Sequence, residues 1–291
     1  MERKRVVCFG EVLWDHMEDG VRVGGAPLNV CYHLSKMGLD SQIISMVGSD
    51  EPGRKLLKEI EALGLRTDNI GIHPTAPTSS VYVRIHSDNR VGYDIVENVA
   101  WDDIPLTDSL LSLVGQSDAL VYGSLAARNP VSRQTLLNLV EKSRFNVMDI
   151  NLRGDFYTWE SVFELVECSD LLKINDDEVR IMGEWLGVEA RPRSVSRAIF
   201  EKFDRMTSVI VTKGSRGATY YDRRGRVKVS AREVVVKNTV GSGDAFLGGF
   251  LAERLQGRPV SQAMDTAVSL SAFVAQHEGA CPPYTLEDLS R

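Results

Sequence analysis

The chain contains 291 residues with a formal net charge of −6. Of these residues, 43% are hydrophobic and 25% are charged, a balance typical of soluble globular proteins. A chain of this length can bury a core large enough for one large domain with a small appendage. The mildly acidic composition, with no block of positive charge, disfavours binding to nucleic acid or to an anionic membrane. The amino terminus has no signal-like apolar run and no apolar stretch reaches roughly 18 residues, so a cytoplasmic protein is the simplest interpretation.

Short β-rich runs alternate with helical segments along the chain. The predicted strands are 6–9, 42–47, 119–122, 146–150, 170–174 and 209–212. Helical lengths with apolar stripes lie at 130–143, 176–186 and 260–276. This alternation predicts an α/β protein whose parallel sheet is covered by helices on both faces.

A glycine turn lies near the amino terminus, in the run Gly-Gly-Ala-Pro-Leu-Asn at 24–29, and apolar residues at helical spacing follow it. Pro27 suits the first helical position, where its missing N–H costs nothing, and Gly38 is placed to end the helix. Asn29 therefore lies near the helix start, where its amide could offer a donor and acceptors to a polyol. It could equally cap or solvate the turn.

An alternating segment at 79–96 interrupts the α/β order. Apolar residues at 81, 83 and 85 alternate with Tyr82, Arg84 and His86 before a turn-like Ser-Asp-Asn at 87–89. Together with the returning run at 91–96, this pattern predicts a β-hairpin. The alternative is an antiparallel edge of the main sheet.

Polar residues follow two of the predicted strands in the middle of the chain. Asp149, Asn151 and Arg153 alternate after one strand, so their side chains could share a face near its carboxyl end or merely tie down a loop. After the next strand, Asn175 is a good helix cap, and Glu178 follows it at the spacing of a capping box.

Another glycine-rich turn, Thr-Lys-Gly-Ser-Arg-Gly at 212–217, follows the strand predicted at 209–212. By itself this turn could form a plain hairpin into 218–221. No P-loop pattern Gly-x-x-x-x-Gly-Lys-Ser/Thr is present, and no Gly-x-Gly-x-x-Gly follows a strand. A P-loop kinase or a Rossmann dehydrogenase is therefore disfavoured.

The most informative run is Thr-Val-Gly-Ser-Gly-Asp at 239–244, directly before an apolar, helix-like stretch at 245–255. Small residues let the backbone approach a ligand closely, and the free amides of a helix start attract anions. The valine run 234–236 is predicted to be a buried strand, which would place Asp244 at the carboxyl edge of a sheet. There its carboxylate could remove a proton from a hydroxyl while the amides hold developing phosphoryl charge. Taken alone, the run is equally compatible with an ordinary glycine-rich turn.

The cysteines and histidines form no recognisable metal or redox motif. Cys8, Cys31, Cys168 and Cys281 are widely spaced, so we expect free and mostly buried thiols. The five histidines include no metal-binding pair at helical spacing, and we assign none of them a catalytic role.

The glycine turns at 24–29 and 239–244 resemble, in this order, the motifs of the PfkB or ribokinase-like carbohydrate kinases. The resemblance spans essentially the whole chain. The early motif of that family is met by Asn29, Gly38 and Gly48. Cys31 departs from the small Ser, Thr or Ala that is usual two residues after the asparagine. The late motif is complete over 238–249.

The resemblance implies a ribokinase-like three-layer α/β/α sandwich with a mostly parallel central sheet and a small β-sheet lid. It implies one kinase domain over 1–291, with lid segments at about 14–23 and 79–98 inserted in the α/β core and closing across the sugar site. The exposed face of the lid could also pair two chains, as it does in resembling kinases.

The same resemblance implies roles for individual residues, with ATP and Mg²⁺ as cofactors. Asp244 would be the catalytic base. The other implied residues are an anion hole of Gly241, Ser242 and Gly243; sugar ligands Asp15, Gly25, Asn29 and Arg153; nucleotide ligands Asn175, Thr212, Gly214 and Gly217; and Glu178, which would hold Mg²⁺ largely through water. Asn238 stands where many relatives have an aspartate that helps to form a monovalent-cation site, so we expect a weak or absent potassium requirement.

The implied reaction is ATP-dependent phosphorylation of a primary hydroxyl of a small, uncharged carbohydrate. The Gly-Gly-Ala-Pro-Leu-Asn start is most similar to fructokinases, which makes D-fructose, phosphorylated to fructose 6-phosphate, the first choice. The second lid strand at 93–98 is less aromatic and arginine-rich than theirs, so ribose, 2-keto-3-deoxygluconate and a nucleoside such as adenosine stay open. A sugar-binding regulator without catalysis is the alternative from another class, and the intact Asp244 argues against it.

Overall fold

The computed structural model describes residues 3–17, 20–85 and 91–290, and it arranges their strands into two separate sheets. The larger sheet has nine strands. In spatial order they are β13 (Arg226–Val229), β12 (Ala218–Asp222), β11 (Ser208–Thr212), β10 (Leu171–Asn175), β9 (Asn146–Asp149), β8 (Ala119–Gly123), β1 (Arg5–Phe9), β4 (Asp40–Gly48) and β5 (Ile70–His73).

Seven strands of the larger sheet, from β11 to β5, pair in parallel, whereas β12 and β13 add an antiparallel edge. The central strands are buried along almost their whole length, as expected for strands covered on both faces. The six strands predicted from the sequence are all present in this sheet, with ends that differ by one or two residues.

Nine helices of the described chain cover the larger sheet. They are α1 (Ala26–Lys36), α2 (Glu51–Ala62), α3 (Asp108–Gly115), α4 (Pro130–Lys142), α5 (Trp159–Glu167), α6 (Asp176–Leu186), α7 (Pro192–Lys202), α8 (Ser242–Leu255) and α9 (Val260–Ala275). None of these helices is long and apolar enough to span a bilayer.

Two hydrophobic clusters, one on each face of the larger sheet, define the three layers. Successive side chains of β1 alternate between them, with Val7 and Phe9 in one cluster and Val6 and Cys8 in the other. Helices α3 to α7 pack into the first cluster, and α1, α2, α8 and α9 pack into the second. The predicted α/β/α sandwich with a mostly parallel sheet is therefore confirmed.

The smaller sheet has four strands and stands apart from the larger one. Its order is β3 (Gly20–Gly24), β2 (Leu13–Met17), β6 (Ser80–Ile85) and β7 (Val91–Ile95). Strands β6 and β7 form the predicted antiparallel hairpin, and the turn predicted at 87–89 lies outside the described residues. Because β2 pairs with β6 in parallel, the hairpin joins this small sheet, and the alternative of an edge of the main sheet is wrong.

Two local predictions near the glycine turns are corrected by the structure. No strand forms at 234–236; Val235 is 83% exposed, and the following amides of Lys237 and Asn238 donate to the carbonyl of Ala275 at the end of α9. An apolar run becomes a strand only where a neighbouring strand offers hydrogen bonds, and here the chain directly after the run bonds to the end of a helix instead. Pro27 is the second residue of α1 because the helix already begins at Ala26.

Candidate active site

The glycine turn before α8 presents a helix start free of side-chain caps. Gly241 is the N-cap with a left-handed φ of 75°, and a Cβ at this position would overlap Ala280. The amide of Ser242 donates to the carbonyl of Thr239 over 3.2 Å. The other amides of the first helical turn have no intrahelical partner, so they favour an anion in front of them. The hydroxyl of Ser242 is buried and has no hydrogen-bond partner among the described residues. This turn has the groups that an anion hole requires.

Asp244, the third residue of α8, is held by the start of α1. The amide Nδ2 of Asn29 donates to Oδ2 of Asp244 over 2.8 Å, and both side chains are buried. Close packing of α1 on α8 makes this contact possible, because Gly248 has no Cβ that would press on His33. The thiol of Cys281 donates to Oδ1 of Asn29 over 3.4 Å, which fixes the other end of the amide.

Two further carboxylates surround Asp244 on the side of the small sheet. Asp15 lies on β2 against Gly24, where a Cβ would collide with its carboxyl group. Glu11 follows β1, and its Oε1 accepts from the amide of Ala26 in the first turn of α1 over 3.3 Å. Oε2 of Glu11 is buried and has no partner among the described residues. Glu11 therefore caps α1 from outside, because the N-cap Gly25 has no side chain to do so.

Burial raises the pKa values of all three carboxyl groups. Burial, with the nearby charge of Asp149, raises the pKa of Asp244 to about 6, although the Asn29 hydrogen bond opposes the shift. Burial and the charge of Asp244 raise the pKa of Glu11 to about 7 and that of Asp15 to about 6. A carboxylate with a pKa near the working pH is a better general base than an ordinary aspartate.

Arg153 is a cation that acts on all three of these carboxyl groups. Its charge lowers the pKa of Asp15, Glu11 and Asp244. Its guanidinium also donates to the carbonyl of Leu152 over 3.1 Å, which ties it to the loop after β9. The sugar ligands expected from the sequence, Asp15, Gly25, Asn29 and Arg153, are thus gathered around Asp244.

A buried ion pair lies where β9 and β10 approach the first turn of α8. Nζ of Lys173 donates to Oδ2 of Asp149 over 2.6 Å, and each side chain is only 7% exposed. Oδ1 of Asp149 is buried without a partner among the described residues. Burial lowers the pKa of Lys173, but the charges of Asp149, Glu178 and Asp244 outweigh it and raise the pKa. This side chain therefore stays an ammonium ion.

Asn175 and Glu178 form the predicted capping box at the start of α6. The side chain of Asn175 accepts from the amides of Asp177 and Glu178, and Oε2 of Glu178 accepts from the amide of Asn175 over 2.8 Å. Oε1 of Glu178 accepts from the amide of Leu152 over 3.0 Å. Burial and the charge of Asp149 raise the pKa of Glu178. The capping role and a role toward a cation are compatible, because each carboxylate oxygen keeps a second lone pair.

The glycine turn at 212–217 follows β11, beside the start of α6. Thr212 pairs with Asn175 across the ends of β11 and β10. Gly214 and Gly217 both have positive φ, and a Cβ on Gly217 would overlap the backbone at 229–231. A short 3₁₀ helix at Gly214–Arg216 joins β11 to the antiparallel β12. The hairpin is present, and the implied nucleotide contact of this turn stays a prediction.

The side chains fit the ATP and Mg²⁺ that the sequence resemblance implies. The helix start at Gly241 and the unpartnered hydroxyl of Ser242 suit phosphate oxygens, and the unpartnered Oδ1 of Asp149 with the Glu178 carboxylate suits a hard cation. Within the described residues, no three His, Cys, Asp or Glu side chains are arranged to hold a metal ion directly.

Sequence reasoning missed Glu11, Lys173 and Cys281 as members of this site. Glu11 could have been found, because it is a charged residue two positions after the buried strand β1, at the same edge of the sheet as Asp149, the last residue of β9. Lys173 could also have been found, since a lysine inside the apolar run Leu-Leu-Lys-Ile is unusual for a central strand. Nothing in the sequence marks Cys281, which contacts Asn29 across 252 positions.

A three-layer α/β/α sandwich with an aspartate in the first turn of a glycine-capped helix has the architecture of the ribokinase-like kinases. The chain belongs to the pfkB family of carbohydrate kinases, whose family model matches residues 3–286. It is therefore a phosphotransferase with an alcohol group as acceptor.

Individual relatives are similar over most of their length. A putative sugar kinase of Pyrococcus horikoshii is 27% identical, over 94% of this chain and 91% of the relative. A probable chloroplastic fructokinase of Arabidopsis thaliana is 26% identical, over 87% of this chain and 70% of the relative. The crystal structure of a fructokinase with bound ATP from Xylella fastidiosa superposes with a TM-score of 0.86 at 21% identity, covering 99% of this chain and 98% of that chain.

Proposed function

We propose that this protein is an ATP-dependent fructokinase that converts D-fructose to fructose 6-phosphate. One observation carries the proposal: the buried carboxylate of Asp244 is held by Asn29 at the start of α8, directly beside first-turn amides that no side chain caps. A base next to an anion-binding helix start is the arrangement that transfer of a phosphoryl group to a hydroxyl requires. The raised pKa of Asp244 suits it to take the hydroxyl proton.

The proposed reaction proceeds by positioning and charge stabilisation. The primary hydroxyl of the sugar lies against Asp244, which receives its proton as the hydroxyl oxygen attacks the terminal phosphorus atom of the nucleotide. Amides of Gly241, Ser242 and Gly243 hold the negative charge of the transferring group. When bound, Mg²⁺ neutralises the phosphate charges and ATP supplies the phosphoryl group, with Glu178 as the side chain for the cation through water. We assign Asn175, Thr212, Gly214 and Gly217 to the nucleotide.

The charges around Asp244 favour an uncharged sugar over an acid. Glu11, Asp15 and Asp244 place three carboxyl groups on the proposed sugar side against Arg153, so a substrate carboxylate such as that of 2-keto-3-deoxygluconate would be repelled. Carboxylates accept hydrogen bonds from the several hydroxyl groups of a neutral sugar. Similarity to plant and bacterial fructokinases selects fructose among neutral sugars as the first candidate.

We also propose that the small sheet is the lid of the sugar site and that its outer face pairs two chains. Asp15 on β2 faces the Asp244 cluster, whereas Val21 and Tyr82 in the same sheet are 53% and 44% exposed. Light scattering tests the pairing: a mass of about twice 32.3 kDa supports it, and a monomer at all concentrations opposes it.

Substrate preference is tested by kcat/KM for purified protein with ATP and Mg²⁺ across fructose, ribose, glucose, mannose, 2-keto-3-deoxygluconate and adenosine. We expect fructose to exceed every other compound at least tenfold, and Asp244→Asn to serve as the inactive control. Preference for another compound would replace the substrate and keep the chemistry. Sugar binding without turnover of any compound would instead support a regulator.

A further inference from the structure

Lys173 is a cation buried within the larger sheet. It lies in the middle of β10, between Leu172 and Ile174, and its side chain is 7% exposed. Burying an ammonium group costs free energy that an apolar side chain at the same position would not cost. A buried ion pair is weak support for stability, so its position beside the reacting groups calls for a functional explanation.

The ammonium of Lys173 lies against the first turn of α8. The position that a Cβ would take on Gly243 is 3.3 Å from Nζ, so the glycine leaves room for the lysine. The charged groups close enough to influence Lys173 are Asp149 on β9, Glu178 on α6 and Asp244 on α8. These elements surround the proposed anion hole, and Lys173 is the cation at their centre.

One hydrogen bond leaves much of the ammonium group unused. Nζ makes its bond to Oδ2 of Asp149, and among the described residues it makes no other hydrogen bond, although an ammonium has three N–H donors. Asp149 in turn leaves its Oδ1 without a described partner. The pair is therefore incompletely satisfied, as expected for groups that also serve a ligand.

We propose that Lys173 is part of the anion hole and stabilises the negative charge of the phosphoryl group during transfer, while Asp149 holds the ammonium in position. The proposal rests on the function proposed above. In the transfer, the bond from phosphorus to the ADP oxygen breaks, the bond from phosphorus to the sugar oxygen forms, and the hydroxyl proton goes to Asp244. Lys173 keeps its proton throughout and contributes only its charge and donors.

A structural role and a role in transfer predict different kinetics. If Lys173 only neutralised Asp149, removing both charges together would restore the site. If it acts on the phosphoryl group, its loss lowers kcat even when Asp149 is also neutral, because the moving charge is larger in the transition state than in the bound substrates. Loss of one donor of an oxyanion hole typically lowers kcat about 10²–10³-fold.

The test is a double-mutant cycle of Lys173→Met and Asp149→Asn, with the exposed Lys142→Met as matched control. We expect Lys173→Met to lower kcat about 10²–10³-fold, with KM for the sugar changed less than threefold. In the Asp149→Asn background, the same substitution should lower kcat at least tenfold further. The control should match the wild type. The double variant, which has no unpaired buried charge, covers the case in which Lys173→Met alone fails to fold.

Binding provides a readout that does not depend on turnover. The wild type should bind ADP with aluminium fluoride and sugar, a mimic of the transferring group, far more tightly than ADP with sugar alone. Lys173→Met should lose most of that gain and keep its affinity for ADP. The proposal is overturned if Lys173→Met changes kcat less than twofold in the Asp149→Asn background. It is also overturned if Lys173→Met keeps the full gain in affinity that aluminium fluoride gives the wild type. Absence of wild-type turnover on every sugar would instead count against the proposed function.

Discussion

Replacing Asp244 by asparagine should abolish turnover and stabilise the protein at the same time. The folded state raises the pKa of Asp244 from 3.8 to about 6, mainly by burial. Because the pKa rises by about two, the ionised carboxylate lowers the free energy of unfolding by roughly 3 kcal/mol at neutral pH. An asparagine side chain cannot ionise and still accepts the hydrogen bond from Asn29, so the substitution should remove much of this cost.

The sign of the pH dependence follows from proton binding. The folded chain holds the proton of Asp244 more tightly than the unfolded chain, so stability falls as the pH rises from about 4 through about 6. We therefore expect Asp244→Asn to be more stable than the wild type by roughly 1–3 kcal/mol at pH 7.5, and by much less at pH 4. Above that window the difference should stay constant.

Urea unfolding at both pH values measures the stability, and initial rates with ATP, Mg²⁺ and sugar measure the turnover. Loss of a general base should lower kcat at least about 10²-fold. Asp108→Asn, an exposed first-turn aspartate on α3, is the matched control and should change neither quantity appreciably. A folded Asp244→Asn variant with near-wild-type turnover, or one less stable than the wild type at pH 7.5, would refute the reasoning.

Three further predictions concern a side chain at the site, a buried ion pair elsewhere in the fold and the residue Asn238. Glu11→Ala should raise KM for the sugar about five- to tenfold, because α1 loses its cap at Ala26. Glu11→Gln keeps the cap, so its KM should stay within about twofold of the wild-type value. Equal KM values for the two variants in steady-state kinetics would contradict this. Arg128→Met should destabilise the fold by about 3–5 kcal/mol in urea unfolding, since Arg128 donates to both carboxylate oxygens of the buried Asp102. Adding Asp102→Asn should recover part of the lost stability. Full stability of the single variant would oppose the assignment. Potassium should stimulate turnover of the wild type only weakly over a tetramethylammonium control. It should stimulate Asn238→Asp more strongly, since the aspartate adds a negative charge for a cation. Strong stimulation of the wild type would be contrary to expectation.

The parts of the fold that the sequence predicts are those determined by local patterns. The parallel strands follow from short apolar runs bounded by turns, and the capping box of Asn175 and Glu178 follows from spacing alone. The strand predicted at 234–236 is wrong, because whether an apolar run becomes a strand depends on its neighbours, and the chain directly after this run, at 237–238, bonds to the end of α9.

Contacts within the site depend on packing that no local pattern encodes. Asn29 and Asp244 are 215 positions apart and meet because α1 packs closely on α8 at Gly248. Family motifs name these two residues, yet they do not say that Asn29 holds the carboxylate itself. The Asp149 and Lys173 pair requires the parallel register of β9 and β10, which spacing along the chain does not give.

The central claim is transfer of the terminal phosphoryl group of ATP to the primary hydroxyl at C6 of fructose. The most direct measurement is NMR of the product formed from fructose labelled with ¹³C at C6, with ADP counted in the same sample. We predict fructose 6-phosphate, seen as phosphorus coupling at the labelled carbon, with one ADP for each product molecule. Release of ADP without labelled sugar phosphate, or phosphorylation at another carbon, would contradict the account.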